Sequence, residues 1–250
     1  MAKPFLSVVI PSYNEMANLQ KGTLDKVKRY LEQQKYSYEV IVVDDGSTDG
    51  SKEFVKNFSK KDQHTRLIEN NHTGKAGAVT AGMLDAKGEY VLFTDMDQAT
   101  PIEELEKVMP NLKKGFDIVI GSRNERKGAP LSRKFMSKAN IMLRKIIVGL
   151  PEINDTQCGF KIFSQDSSQY VFGKLKKIHK GFKTIKGSAV TAGFDLELLL
   201  LAEYKGYKVK EVPVRWLYVE TRRVSPVNDS INGLRDLFKV RYNVSKGVYN

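Results

Sequence analysis

The hydrophobic positions of the chain fall into short runs separated by longer amphipathic stretches. Leu6 to Ile10 and Glu39 to Val43 are rich in β-branched residues and end in polar ones; Thr65 to Ile68, Tyr90 to Phe93 and Asp117 to Ile120 repeat the pattern. Runs of this length and make-up predict strands. Between them, apolar residues recur at helical spacing over roughly 16–34, 49–60, 74–86 and 102–113. Asn14 or Ser47 is placed to cap the segment that follows it, and Pro101 suits a first helical turn. Strands alternating with helices at this spacing predict an α/β fold with a mainly parallel central sheet flanked by helices. In such sheets a ligand binds beyond the carboxyl ends of the strands.

The second half is less regular. A basic amphipathic helix is expected over about 132–148, a strand near Gly159–Phe163, and a helix around Asp195–Lys205. Lys208 to Trp216 reads as a strand or hairpin interrupted by Pro213, and a last helix as running from about Asp229 to Asn243. No linker rich in Gly, Pro or Ser divides the chain, which predicts a single domain over 1–250.

Composition narrows the class. With 41% hydrophobic and 28% charged residues over 250 positions, the chain is globular rather than disordered. The segment from Phe5 to Ile10 ahead of Pro11 is too short for a signal core. No apolar run approaches the ~18 residues that span a bilayer. The one cysteine, Cys158, cannot close an internal disulfide and reads as a small core residue. These features predict a cytoplasmic protein, with room for peripheral contact on the cytosolic face of a membrane. The net charge of +12 implies an anionic partner. The excess is concentrated: Arg123, Arg126, Lys127, Arg133, Lys134, Lys138, Arg144 and Lys145 face only Glu125. Such a block suits phosphates or lipid headgroups. A nucleic-acid partner is not expected, because no reader motif or interleaved aromatic–basic surface accompanies the charge.

The polar motifs fall just after strands. Pro11-Ser12-Tyr13-Asn14-Glu15 follows the first, Asp44-Asp45-Gly46-Ser47-Thr48-Asp49 the second and Asp95-Met96-Asp97 the fourth. Three acidic clusters on neighbouring strand ends repel one another unless compensated. A divalent cation would resolve this, since Mg²⁺ and Mn²⁺ favour carboxylate oxygens and also bridge phosphates. His64, His72 and His179 lack metal spacing and read as surface residues; Trp216 reads as core or pocket wall.

These motifs, with Gly74-Lys75-Ala76-Gly77-Ala78, resemble those of family 2 glycosyltransferases of the GT-A fold. Gly121-Ser122-Arg123, Arg133-Lys134-Phe135-Met136-Ser137 and Asp155-Thr156-Gln157-Cys158-Gly159-Phe160 are similar to the branch that acts on dolichyl phosphate, glucosyl- and mannosyltransferases together. The resemblance implies a nucleotide-sugar-binding half over 1–122 and an acceptor-side half over 123–250. It implies that Pro11, Tyr13, Glu15, Asp44 and Asp45 hold the nucleoside, Lys75 meets negative charge, Asp95 contacts ribose or metal, and Asp97 the metal. It further implies that Arg123 holds phosphate and shares the catalytic role with Asp97. Arg133 and Ser137 would take the acceptor phosphate; Arg222 and Arg223 lie in a later loop where the glucosyltransferases usually carry Gly-Ser-Lys, and keep its charge for the same phosphate without its small residues. Asp195, at the start of a helix, is the candidate base if the acceptor is a hydroxyl. The mannosyltransferases carry a metal-binding glutamine two residues after the second motif aspartate. That position is Ala99 here, and the run Gln98-Ala99-Thr100-Pro101 is closer to the glucosyltransferases. The expected activity is therefore a hexosyltransferase using Mg²⁺ or Mn²⁺ to move glucose from UDP-glucose to a polyprenyl phosphate with inversion. The alternative is transfer from GDP-mannose, or to a glycan or soluble hydroxyl.

Overall fold

The computed structural model describes residues 3–123, 153–185, 192–217 and 226–249. Seven strands form one sheet: β1 (Leu6–Ser12), β2 (Tyr38–Asp44), β3 (Thr65–Glu69), β4 (Tyr90–Thr94), β5 (Ile118–Ser122), β6 (Phe160–Ser164) and β7 (Val209–Pro213), in the order β3-β2-β1-β4-β6-β5-β7. Only β6 runs antiparallel to its neighbours. The helices are α1 (Met16–Gln20), α2 (Thr23–Glu32), α3 (Ser51–Ser59), α4 (Gly74–Asp85), α5 (Leu105–Lys113, after a 3-10 turn at Ile102–Glu104), α6 (Gln165–Ile178), α7 (Ala192–Lys205) and α8 (Pro226–Ser245).

The strands read as unbroken apolar runs because both faces of the sheet are covered. Side chains alternate between the faces. Val9, Ile41, Val43, Phe93 and Phe163 enter the core beneath α4, α6 and α7, while Val8, Ile10, Val40, Val42 and Leu92 enter the one beneath α2 and α5. β1 pairs with β2 through Ser12 but with β4 only through Val9. Pro11, which has no N–H to give, lies beyond the last β4 rung.

The chain winds outward from β1 to β3 and then returns to the other side of β1 for β4. That reversal puts a topological switch point at the carboxyl ends of β1 and β4, the place where α/β sheets bind ligands.

Several expectations need correction. The helix expected over 16–34 is two helices, broken where Gly22 takes a left-handed φ of 75°. Periodicity passed over α6 entirely, although Ser164 caps it by accepting a hydrogen bond from the Ser167 N–H at 3.2 Å, and Val171, Phe172 and Leu175 are buried. Pro213 closes β7 rather than interrupting it, and β7 pairs in parallel with β5. The last helix extends over Pro226–Ser245. The basic helix expected at 132–148 lies outside the described residues.

Candidate active site

The first two polar loops are laced together. The Asn14 N–H donates to Ser47 Oγ (2.9 Å) and the Thr48 N–H to Asn14 Oδ1 (2.8 Å). The Glu15 N–H donates to Ser51 Oγ (2.9 Å) and the Met16 N–H to Asp49 Oδ2 (3.0 Å). Burial alone would raise the Asp49 pKa, but the donors on Ser51 and Met16 win and hold it below the ordinary carboxylate range. Asp49 is thus a loop-joining residue.

Asp44 and Asp45 divide their work. Asp44 Oδ2 accepts from the Gly46 and Ser47 N–H groups at 3.1 and 3.0 Å. Its Oδ1 is buried without a hydrogen-bond partner, and so is Ser12 Oγ, on the residue paired with Asp44 across β1 and β2. Buried polar atoms in folded proteins are almost always satisfied, so two orphans at adjoining strand ends call for a polar ligand. Asp45 is committed to the protein. Its carboxylate accepts from Asn70 Nδ2 (2.8 Å) and the N–H groups of Thr73 (2.9 Å) and Gly74 (2.8 Å), fixing the start of α4. His72 Nδ1 lies 2.9 Å from Asp45 Oδ2, and the His72 ring stacks on Tyr13 at 4.2 Å. His72 is therefore a support for Tyr13, not the surface residue expected.

Beyond β4, Lys75 Nζ lies 2.6 Å from Asp95 Oδ1. Burial would lower the Lys75 pKa, but Asp95, Asp195 and Asp97 outweigh it and raise it. Burial pushes the Asp97 carboxyl up, with Asp95 adding to the effect and the Ala99 N–H (3.0 Å from Asp97 Oδ1) and Lys75 opposing it. Gln98 takes a left-handed φ of 50° and folds its amide back, donating to the Asp95 carbonyl at 2.9 Å. It leaves the rim to the two aspartates. Gly159 abuts this loop: a Cβ there would sit 1.9 Å from Asp95 Oδ2.

Arg123 donates from Nε and Nη2 to the two oxygens of Asp155 at 2.7 and 2.8 Å, and from its N–H at 2.9 Å. Burial would raise the Asp155 pKa, but the Arg123 fork overrides it and holds the group at about 2. Glu211 on β7 accepts the Asp155 N–H at 2.9 Å. Lys161 Nζ lies 2.5 Å from Asp195 Oδ1. Among the described residues the structure therefore gathers Pro11, Tyr13, Glu15, Asp44, Asp45, Lys75, Asp95, Asp97, Arg123 and Asp195 along the carboxyl ends of β1, β2, β4 and β5. Arg133, Ser137, Arg222 and Arg223 lie outside the described residues. Sequence reasoning missed Lys161, Asp155 as the partner of Arg123, and Glu211. A lysine inside the apolar run Gly159–Phe163 was the available signal.

His179 also departs from expectation: its Nε2 lies 2.6 Å from Glu197 Oε2, whereas His64 is exposed. Trp216 is more than a third exposed, on the segment where the Leu217 N–H donates to the Ala99 carbonyl (2.7 Å). Cys158 is buried, as expected.

No group of three or more His, Cys, Asp or Glu side chains is gathered for a metal among the described residues. Asp95 and Asp97 nonetheless fit Mg²⁺ or Mn²⁺, which are commonly held by one or two carboxylates plus substrate phosphates.

A mainly parallel sheet whose strand order reverses between β1 and β4, with Asp44, Asp95, Asp97 and Lys75 near the strand ends, is the architecture of the GT-A class of nucleotide-sugar transferase fold, and similar solved structures show that fold. The comparisons give the particular family. The chain belongs to glycosyl transferase family 2, whose model matches residues 7–194. It is therefore an enzyme, a glycosyltransferase. It is 31% identical to a dolichyl-phosphate beta-glucosyltransferase of Dictyostelium discoideum, over 98% of this chain and 76% of that protein. Among solved structures it is similar to mannosyl-3-phosphoglycerate synthase from Rubrobacter xylanophilus, with a TM-score of 0.64 at 16% identity, covering 98% of this chain and 75% of that one. It is also similar to a mannosyltransferase from Pyrobaculum calidifontis in complex with GDP-Man and Mn²⁺, with a TM-score of 0.59 at 20% identity, covering 100% of this chain and 66% of that one. At those identities the two structures speak for the fold.

Proposed function

We propose that the enzyme transfers glucose from UDP-glucose to a polyprenyl phosphate such as dolichyl phosphate, by direct displacement with inversion. The observation that carries the donor half is the pair of buried orphans, Asp44 Oδ1 and Ser12 Oγ, beside Tyr13. An ionised carboxylate oxygen only accepts, so it suits an N–H of a nucleobase or a ribose hydroxyl. The Tyr13 ring, backed by His72, offers a face to the base. Asp95 and Asp97 are the residues to hold Mg²⁺ or Mn²⁺, which when bound would neutralise the charge of the departing nucleoside diphosphate. Lys75 holds Asp95 in place and adds a positive charge beside the diphosphate.

The acceptor half rests on the relative named for dolichyl phosphate and on chemistry. A phosphate monoester has a second pKa near ~6, so its oxygen is largely ionised at neutral pH and needs no strong base. The 123–250 half would then supply Arg133, Ser137, Arg222 and Arg223 for that phosphate. Contact with a membrane surface is supported by α8, whose buried Leu237 and Val240 lie opposite an exposed stripe of Arg235, Phe238, Lys239 and Tyr242. A basic, aromatic helix face is the make-up that rests in the interface of an anionic bilayer. No helix among the described residues is long and apolar enough to cross one.

The test is a donor and acceptor screen. UDP- and GDP-hexoses are incubated with Mg²⁺ or Mn²⁺, with and without polyprenyl phosphate, and nucleotide release is measured. UDP release from UDP-glucose that rises with the lipid phosphate is expected. Release only from GDP-mannose, or only with a hydroxyl acceptor, would reassign the substrate.

A further inference from the structure

Lys161 stands in the middle of the sheet, on β6, with Phe93 of β4 and Ile120 of β5 as its register partners. Both neighbours and the lysine itself are fully buried. An ammonium in such surroundings is costly unless every donor is used. Here Nζ donates to the Cys158 carbonyl at 2.7 Å and to Asp195 Oδ1 at 2.5 Å, and it lies 5.1 Å from the centre of the Phe93 ring. The two ends of the pair differ. Lys161 has no exposed surface, while the Asp195 side chain keeps 17% of its own. It lies close enough to Lys75 and Arg123 to favour the charge of both. Positive and negative groups thus pair at the site: Arg123 with Asp155, Lys161 with Asp195, Lys75 with Asp95.

A pair that served only to fasten α7 to the sheet could be buried whole, or replaced by apolar side chains of similar size with little loss. One that holds a partly exposed carboxylate at a fixed place needs its charged, buried foot. We infer that Lys161 is a positioning residue: buried between the Cys158 carbonyl and Asp195, it fixes the place of the partly exposed Asp195 carboxylate. The inference rests on the glycosyltransferase reading of the site and adds to it a residue that never touches substrate. Its action is on geometry, through one ion pair.

The test compares Lys161→Met, Asp195→Asn and the double variant in the full chain, by steady-state transfer from UDP-glucose and by thermal unfolding. Misplacing a catalytic-site group by about 1 Å costs on the order of 10²-fold. Lys161→Met is expected to lose about that much kcat with the sugar-nucleotide KM within about threefold of wild type. Asp195→Asn should lose a similar amount, because it removes the charge that supports Lys75 and Arg123 rather than a base, and the double variant no more than Asp195→Asn alone, since both changes remove one arrangement. A Lys161→Met enzyme that keeps wild-type kcat while its Tm falls makes the lysine merely structural and overturns the inference. So does an Asp195→Asn enzyme at the wild-type rate. If either single variant does not fold, the double variant, which leaves no unpaired buried charge, decides: a loss of about 10²-fold in kcat supports the inference and a wild-type kcat overturns it. Wild-type protein without transfer from any sugar nucleotide defeats the functional reading itself, a result separate from an active wild type with an indifferent Lys161.

Discussion

Gly159 offers a sharp separation of catalysis from stability. A Cβ at this position would lie 1.9 Å from Asp95 Oδ2 and 2.5 Å from its Cγ, where real contacts are not found below 3.0 Å. In Gly159→Ala the carboxylate must therefore retreat by about 1 Å, because the alanine is fixed to the backbone leading into β6 and Asp95 is not. Asp95 is a third exposed and its side chain can swing outward, so the cost in stability is near the lower end of ~1–3 kcal/mol for overpacking. For a chain of this size that is a Tm decrease of roughly 2–4 °C per kcal/mol. The functional cost is larger. The retreat breaks the 2.6 Å contact with Lys75 and moves one of the two candidate metal-holding carboxylates. About 1 Å of misplacement corresponds to a loss of roughly 10²-fold in kcat/KM, or about 2.7 kcal/mol of transition-state stabilisation. The assay is steady-state transfer beside a thermal melt, with Gly173→Ala as control, since a Cβ there meets nothing within 4 Å. A Gly159→Ala enzyme within threefold of wild-type kcat/KM would refute the placement of Asp95 in the chemistry.

Four further outcomes follow from the structure. Asp155→Ala strips a mostly buried Arg123 of its partner and should cost about 3 kcal/mol, read as a lower urea midpoint. Because Asp155 titrates at about 2 in the folded chain and near ~3.9 unfolded, its contribution of roughly 2–3 kcal/mol is complete above the unfolded value and lost as pH falls toward the folded one. The urea-midpoint gap between wild type and Asp155→Asn should therefore shrink between pH 5 and pH 2 (on the order of those two pKa values); a gap that stays constant contradicts the pairing. Asp45→Ala removes the acceptor that organises the start of α4 and should lower Tm by several degrees while also weakening sugar-nucleotide binding, because Tyr13 loses the support of His72. Phe238→Ser with Tyr242→Ser should reduce co-sedimentation with anionic vesicles, leaving nucleotide release in detergent unchanged; equal sedimentation would remove α8 from the membrane surface.

The strands were legible because a sheet covered on both faces writes itself as unbroken β-branched runs, each ending in polar residues. The rim was legible for the same reason, since Glu15, Asp44, Asp95 and Asp97 each follow such a run. Helix ends were less so. The break at Gly22 depends on a left-handed turn that periodicity over 16–34 averages away. The α6 helix carries a weaker stripe, Val171, Phe172 and Leu175 among serines and lysines, and its capping Ser164 is also the last residue of β6, so no polar break separates strand from helix. What periodicity could not convey was pairing. Arg123 stands out in the sequence, but nothing there pairs it with Asp155, 32 residues away. Asp195 stands out at a helix start, but nothing in the sequence pairs it with Lys161, 34 residues away. Asp45 looks equal to Asp44 until α4 turns its N–H groups toward one of them.

The most direct test of the central proposal follows the sugar. UDP-glucose labelled in the glucose is incubated with polyprenyl phosphate, Mg²⁺ or Mn²⁺, and either wild-type enzyme or Asp97→Ala, and label in the lipid phase is counted. Wild type is expected to form a glucosyl-phosphate lipid, and Asp97→Ala to lose on the order of 10²-fold or more of that rate while keeping its fold. No labelled lipid from wild type, or an equal rate from Asp97→Ala, would contradict the assignment.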